Sequence, residues 1–178
     1  MHVEGSIIMS KQLELMASVY TDEDGAKTIL DTLEMMHRAY NITLADAVMV
    51  TKDADGRLHI KETREVTTGK GARRGAIITG VLGLIYPPSL IVSVLGGGLI
   101  GGAWGKLRDT GIKTGAMKDL GSGLEPGNAA VVALAEPQFV EVIMQAMEAY
   151  QAKFLRHGFS ADEAAQIEDA AAAGDASR

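Results

Sequence analysis

Three short patterns in the chain have residue types suited to ion or phosphate chemistry, and each lacks a necessary member. Asp53-Ala54-Asp55-Gly56 opens like a calcium loop, but the twelfth position, where a bidentate acid must close the coordination sphere, is Arg64. The stretch is therefore expected to be a turn. Gly69-Lys70-Gly71 and Gly105-Lys106 invite a phosphate-loop reading, yet the earlier glycine such a loop needs is replaced by Arg64 in one frame and Ile100 in the other. His2, His37, His59 and His157 are scattered, with no two at helical ligand spacing, and are expected to be solvated or packing residues. Glu34, Glu62 and Glu65 read as surface carboxylates without an identifiable partner, and Met35-Met36 as core. No nucleophile elbow frames a serine. The absence of cysteine removes thiolate chemistry and disulfides. These patterns predict a non-enzymatic protein with no catalytic residue, no cofactor, no metal and no small-molecule substrate.

A different chemistry is written in Gly69 to Asp109, an apolar, glycine-rich stretch broken at Pro87-Pro88. From Gly75 to Gly105 no side chain is charged, whereas Lys70, Arg73 and Arg74 precede the run and Lys106 and Arg108 follow it. The prolines and the length predict a helical hairpin rather than one spanning helix, since a bilayer is crossed by about 20 residues. In the first arm, about Gly71 to Tyr86, small residues recur at Gly71, Gly75, Thr79 and Gly83; in the second they recur at Ser89, Ser93, Gly97, Gly101 and Gly105, with Gly98 and Gly102 widening the stripe. Four-residue spacing puts each set on one helical face, where two backbones can approach closely. Glycine costs roughly 1 kcal/mol against alanine inside a helix, so this segment needs compensation from a water-free environment. Gly71, Gly75, Thr79, Gly83, Ser93, Gly97, Gly101 and Gly105 are the candidate self-association residues.

Lipid and a protein assembly both satisfy that need. A second-arm helix from Ser89 to Trp104 would be ~24 Å long, somewhat short of a ~30 Å hydrocarbon core, which implies a thinned bilayer or a deep re-entrant hairpin. Tyr86 falls at the tip and Trp104 at the base, where interfacial aromatics belong, and all five basic residues gather at the open end. The candidate membrane-interface residues are therefore Lys70, Arg73, Arg74, Tyr86, Trp104, Lys106 and Arg108, with the open end and both termini on the cytoplasmic side. The alternative is a cytoplasmic, water-soluble homo-oligomer, a ring or shell whose shared core is made of the hairpins.

The rest of the 178-residue chain suffices for one compact domain. Its net charge of -6, with no basic stripe interleaved with aromatics, argues against nucleic-acid binding. The start, Met1 to Gln12, lacks the apolar core of a signal peptide. Leu13 to Val19 alternates as a strand, Thr21 to Asp24 supplies a helix cap and acidic first turn, and Ala26, Ile29, Leu30, Leu33 and Met36 recur at helical spacing. Ala47 to Thr51 and Leu58 to Glu62 flank the Asp-Gly turn as a β-hairpin. Thr114 to Leu120 reads as a short helix, Ala129 to Ala135 as a central strand, Pro137 onward as a helix with Val140, Ile143, Met144 and Met147 inward, and Lys153 to His157 as an edge strand. Ser160 to Glu163 forms a capping box for a last helix.

The expected fold is α+β: a ferredoxin-like βαββαβ domain with an inserted apolar glycine-zipper helical hairpin and an added C-terminal helix. The divisions are an N-terminal tail (1–11), the ferredoxin-like domain (12–68 and 110–158), the hairpin (69–109) and a C-terminal helix and tail (159–178). Helices are expected on one sheet face, leaving the other free to pair with a second copy or with the hairpins.

Asp22-Glu23-Asp24-Gly25-Ala26, the stretch Asp46 to Gly56, Thr68 to Gly71, Tyr86-Pro87-Pro88, Gly101 to Gly105 and Leu120 to Gly127 together resemble a bacterial family known as domain of unknown function 1269. The resemblance covers about Leu13 to Tyr150 and leaves the tail beyond about Gly158 outside. It implies a non-enzymatic, membrane-associated or stress-related protein, and it brings no catalytic residues.

Overall fold

The computed structural model describes residues 12–62, 82, 91–93, 123–148, 153–160, 162–163 and 165–166. They form an α+β unit in which two helices lie against an antiparallel sheet. In chain order the elements are β1 (Leu13–Tyr20), α1 (Glu23–Ala39), β2 (Leu44–Lys52), β3 (Leu58–Glu62), β4 (Ile91–Ser93), β5 (Ala129–Ala135), a 3-10 turn (Pro137–Phe139) leading into α2 (Val140–Glu148), and β6 (Lys153–Phe159). The sheet order is β4-β3-β2-β5-β1-β6, every pairing antiparallel except β3 with β4.

Local chemistry explains the element ends. Asp22 caps α1 by accepting from the Gly25 amide at 2.7 Å, worth about 1 kcal/mol, and Glu23 and Asp24 place negative charge at the positive end of the helix. The helix stops at Tyr40, and Asn41 turns the chain away in the left-handed region (φ 51°). Along α1, Glu34 pairs with Arg38 one turn later, so this carboxylate has the partner that the sequence did not identify. At the other end of the domain Ser160 and Glu163 form the reciprocal capping box: Ser160 donates its amide to the Glu163 carboxylate at 2.9 Å, and the Glu163 amide donates to Ser160 Oγ at 3.2 Å.

β5 is apolar throughout and buried throughout, and it sits between β2 and β1, the central place expected for it. On the helix side, Met16, Tyr20, Ala47, Met49, Val131 and Ala133 pack against Ile29, Leu33, Val140, Ile143 and Met147. A buried chain of hydrogen bonds crosses this layer: Ser18 Oγ donates to the Tyr20 hydroxyl at 2.6 Å, which donates to the Met147 carbonyl at 2.9 Å. Tyr20 thereby satisfies a carbonyl in the last turn of α2, and burial raises its pKa, more than the bond from Ser18 lowers it.

Two sequence expectations are corrected and a third is made more specific. First, Leu58–Glu62 is not the strand between β2 and β1; as the hairpin partner of β2 it lies outside it, β5 takes the central place, and β6 pairs with β1 at the edge, the place expected for it. Seven consecutive apolar residues in β5 need cover on both flanks, which the shorter β3, with polar Lys61 and Glu62, does not. Second, Ile91–Ser93 is a strand running parallel to β3, so Ser89 to Trp104 is not one uninterrupted helix. Its β-branched Ile91 and Val92 suit a strand, and β3 offers an edge to pair with. Third, the second sheet face, expected to pair with a second copy or with the hairpins, is covered within the single chain. Leu15, Ala17, Val19, Val48, Val50, Leu58, Ile60, Val132 and Leu134 point away from the helix layer by strand alternation, and all are buried within the single chain. Leaving so continuous an apolar face in water would forfeit about 25 cal/mol per Å². The short helix expected at Thr114 to Leu120 lies outside the described residues.

The two faces can be compared directly. Leu33→Ala opens the helix-side core and Leu15→Ala the opposite side; both side chains are almost wholly buried. Each substitution is expected to cost about 2–5 kcal/mol in chemical denaturation. A near-neutral Leu15→Ala would mean that the second face is open to solvent.

Candidate functional site

One set of described polar groups gathers at a corner where the β2–β3 turn, the start of β5 and the first residue of α1 meet. Asp53 organises it. Its Oδ1 accepts the amides of Asp55 at 3.0 Å and Arg57 at 2.8 Å, its backbone carbonyl accepts the Gly56 amide at 3.0 Å, and Gly56 takes the positive φ of 79° that the turn requires. The turn expected at Asp53 to Gly56 is therefore present, with the first aspartate serving the backbone.

The second carboxylate oxygen of Asp53 lies 2.8 Å from His59 Nε2. Each partner is about a third exposed. The His59 contact, followed by the Arg57 amide, holds the Asp53 pKa below its ordinary 3.8. Beside this pair, Lys52 Nζ donates to the Leu124 carbonyl at 3.1 Å, and the Gly127 amide donates to the Lys52 carbonyl at 3.2 Å. Glu125-Pro126-Gly127-Asn128 is itself a tight turn: Pro126 presets its second position, Gly127 takes φ 91°, and Asn128 donates back to Glu125 at 3.0 Å. The stretch that follows the apolar insert is thus stitched to the end of β2.

Glu23, Thr51, Lys52, Asp53, His59, Gly127 and Asn128 line a cleft of about 220 Å³. Its one lysine is tethered, and two carboxylates oppose it, so the corner has no net preference for an anion. Among the described residues no group of three or more histidine, aspartate or glutamate side chains could hold a metal ion. A second cleft of about 380 Å³, lined by Gln12, Leu13, Glu14, Pro137, Gly158, Ser160 and Glu163, lies at the Ser160–Glu163 cap. The geometry of the first corner fastens a hairpin. Its signal in the sequence was the hairpin register, which sets His59 opposite Thr51 and close to Asp53; reading histidines only for ligand spacing passes over it. His37, in turn, lies 2.8 Å from the Ile42 carbonyl and ties the end of α1 to the next loop.

Of the candidate self-association residues, Ser93 falls in β4. Gly71, Gly75, Thr79, Gly83, Gly97, Gly101 and Gly105 lie outside the described residues, as do Lys70, Arg73, Arg74, Tyr86, Trp104, Lys106 and Arg108. Leu82, within the same stretch, is buried. Among the described residues no helix is long and apolar enough to cross a membrane.

What these residues define is an α+β protein with a two-helix layer on an antiparallel sheet and a long apolar insert between β3 and β5. The chain belongs to the family described as protein of unknown function, DUF1269, which matches residues 72–172. The match begins inside the insert and runs into the C-terminal stretch that the sequence resemblance left outside. No curated protein and no solved structure matches the chain.

The lowered Asp53 pKa has a sign. The folded state binds a proton at Asp53 less readily than the unfolded chain, so the contribution is complete above the ordinary value near 3.8 and is lost as pH falls through the lowered one. Asp53→Ala is expected to lower the denaturation midpoint at neutral pH, and the gap from the parent protein should close in acid. A gap unchanged down to about pH 2 would contradict the assignment.

Proposed function

We propose that this is a non-catalytic, membrane-associated protein that self-associates through the glycine faces of its insert and thereby anchors or multimerises a cytoplasmic α+β domain. The observation that carries this reading is the uncharged run from Gly75 to Gly105 with basic residues at both ends. Such a run is stable only where its backbone polar groups bond internally and its apolar surface is dry. Lys70, Arg73, Arg74, Lys106 and Arg108 would meet anionic headgroups, with Tyr86 and Trp104 at the interfaces and both termini on the cytoplasmic side. The order β2-β5-β1-β6, antiparallel throughout with two helices on one face, supports reading the core as ferredoxin-like, with β3 and β4 extending its edge. A stress-related role rests on the family resemblance. Neither nucleic acid nor a small-molecule substrate enters this reading.

One observation favours the alternative, a water-soluble ring or shell with the inserts as shared core: Ile91–Ser93, inside the uncharged run, pairs with the soluble sheet. Burial of the second sheet face removes the other argument for it, a free face awaiting a second copy.

The readings part on fractionation. A membrane protein of this kind stays with the membranes through a high-salt wash and is released by detergent; recovery as a defined soluble particle rejects it in favour of the alternative. For such a particle, Gly101→Leu should break the assembly into aggregating subunits, and an unchanged size distribution would count against glycine-face packing.

A further inference from the structure

The β3–β4 pairing is the shortest in the sheet: Leu58 with Ile91, His59 with Val92 and Ile60 with Ser93, in parallel, at the outermost position. Parallel pairing is the less stable kind per residue, and β4 has a neighbour on one side only. These three residues also lie inside the uncharged run. In hydrocarbon every backbone N–H and C=O must be bonded within the spanning segment, and an open sheet edge is excluded. Residues 91–93 therefore cannot pair with β3 and lie in a bilayer at once.

We propose that the β3–β4 pairing is an autoinhibitory strap, held shut in water, whose release is the step that admits the insert to a lipid surface. The strap rests on the membrane reading above and adds to it a two-state element. Closed, β4 pairs its backbone with β3, and Leu58 and Ile60 stay buried. Open, β4 gives up that pairing for the internal bonding that lipid demands, and β3 becomes the sheet edge. The equilibrium shifts because only the open form gains contact with lipid.

The chain has no cysteine, so a reversible lock can be installed cleanly. Ile60 and Ser93 are register partners, and neighbouring strands run about 4.8 Å apart, within the separation a disulfide spans. The full chain carrying Ile60→Cys and Ser93→Cys is made by cell-free synthesis, oxidised, mixed with vesicles of phosphatidylethanolamine and phosphatidylglycerol, and floated on a density gradient. Oxidation should lower the vesicle-bound fraction at least about tenfold, and reduction should restore it. Val92→Pro, which removes an amide from β4, should raise the bound fraction above that of the parent protein. If the oxidised, reduced and Val92→Pro proteins all float like the parent, the strap is overturned while the membrane reading stands. If the two cysteines fail to cross-link, the pairing itself is overturned. If the parent protein does not float at all, the membrane reading fails and the strap fails with it.

Discussion

A sheet with two apolar faces, one of them covered by α1 and α2, sets the terms for this protein. β5 carries no polar side chain and presents Leu134 away from α1 and α2, as its neighbours β1 and β2 present Leu15, Val48 and Val50. Those residues are buried in the single chain, so folding must cover both sides of the sheet before its centre is stable. The same constraint applies with more force to Gly75 to Gly105, which has neither charge nor enough side-chain bulk to hold a helix in water.

The polar stitches around the sheet fit that constraint. Asp53, His59, Lys52 and Gly127 join the β2–β3 turn to the start of β5, at the point where the chain returns from its insert. Tyr20 does the same on the helix side, joining β1 to the end of α2. These contacts tie the β2–β3 turn, the start of β5 and the end of α2 to the sheet.

Much of the described fold was legible in the residues. Alternation marked β1, the acidic cap and its spacing marked α1, Asp-Gly marked the β2–β3 turn, and the apolar block marked β5 as central. What could not be read was long-range choice. The residues mark Leu58–Glu62 as the hairpin partner of β2 and β5 as central, but do not mark that β5 pairs with β2 on one side and β1 on the other, with β6 on the outer side of β1. Ile91–Ser93 misled for a related reason: glycine and serine spacing favours a helical stripe, while two β-branched residues beside an available strand edge favour pairing, and pairing prevails there. The Asp53–His59 contact was hidden because it joins residues six apart that only the hairpin register brings together. Family membership through residues 72–172 adds to the architecture and leaves the activity to be argued from physics.

On this account the uncharged stretch takes lipid as its solvent, and the chain holds a built-in probe of that claim, since Trp104 is its one tryptophan and stands at the end of the stretch. Tryptophan emission recorded on adding anionic vesicles, with and without brominated acyl chains, reads the claim directly. Emission should shift to the blue and be quenched by the brominated lipid. A spectrum that neither shifts nor quenches would contradict the account.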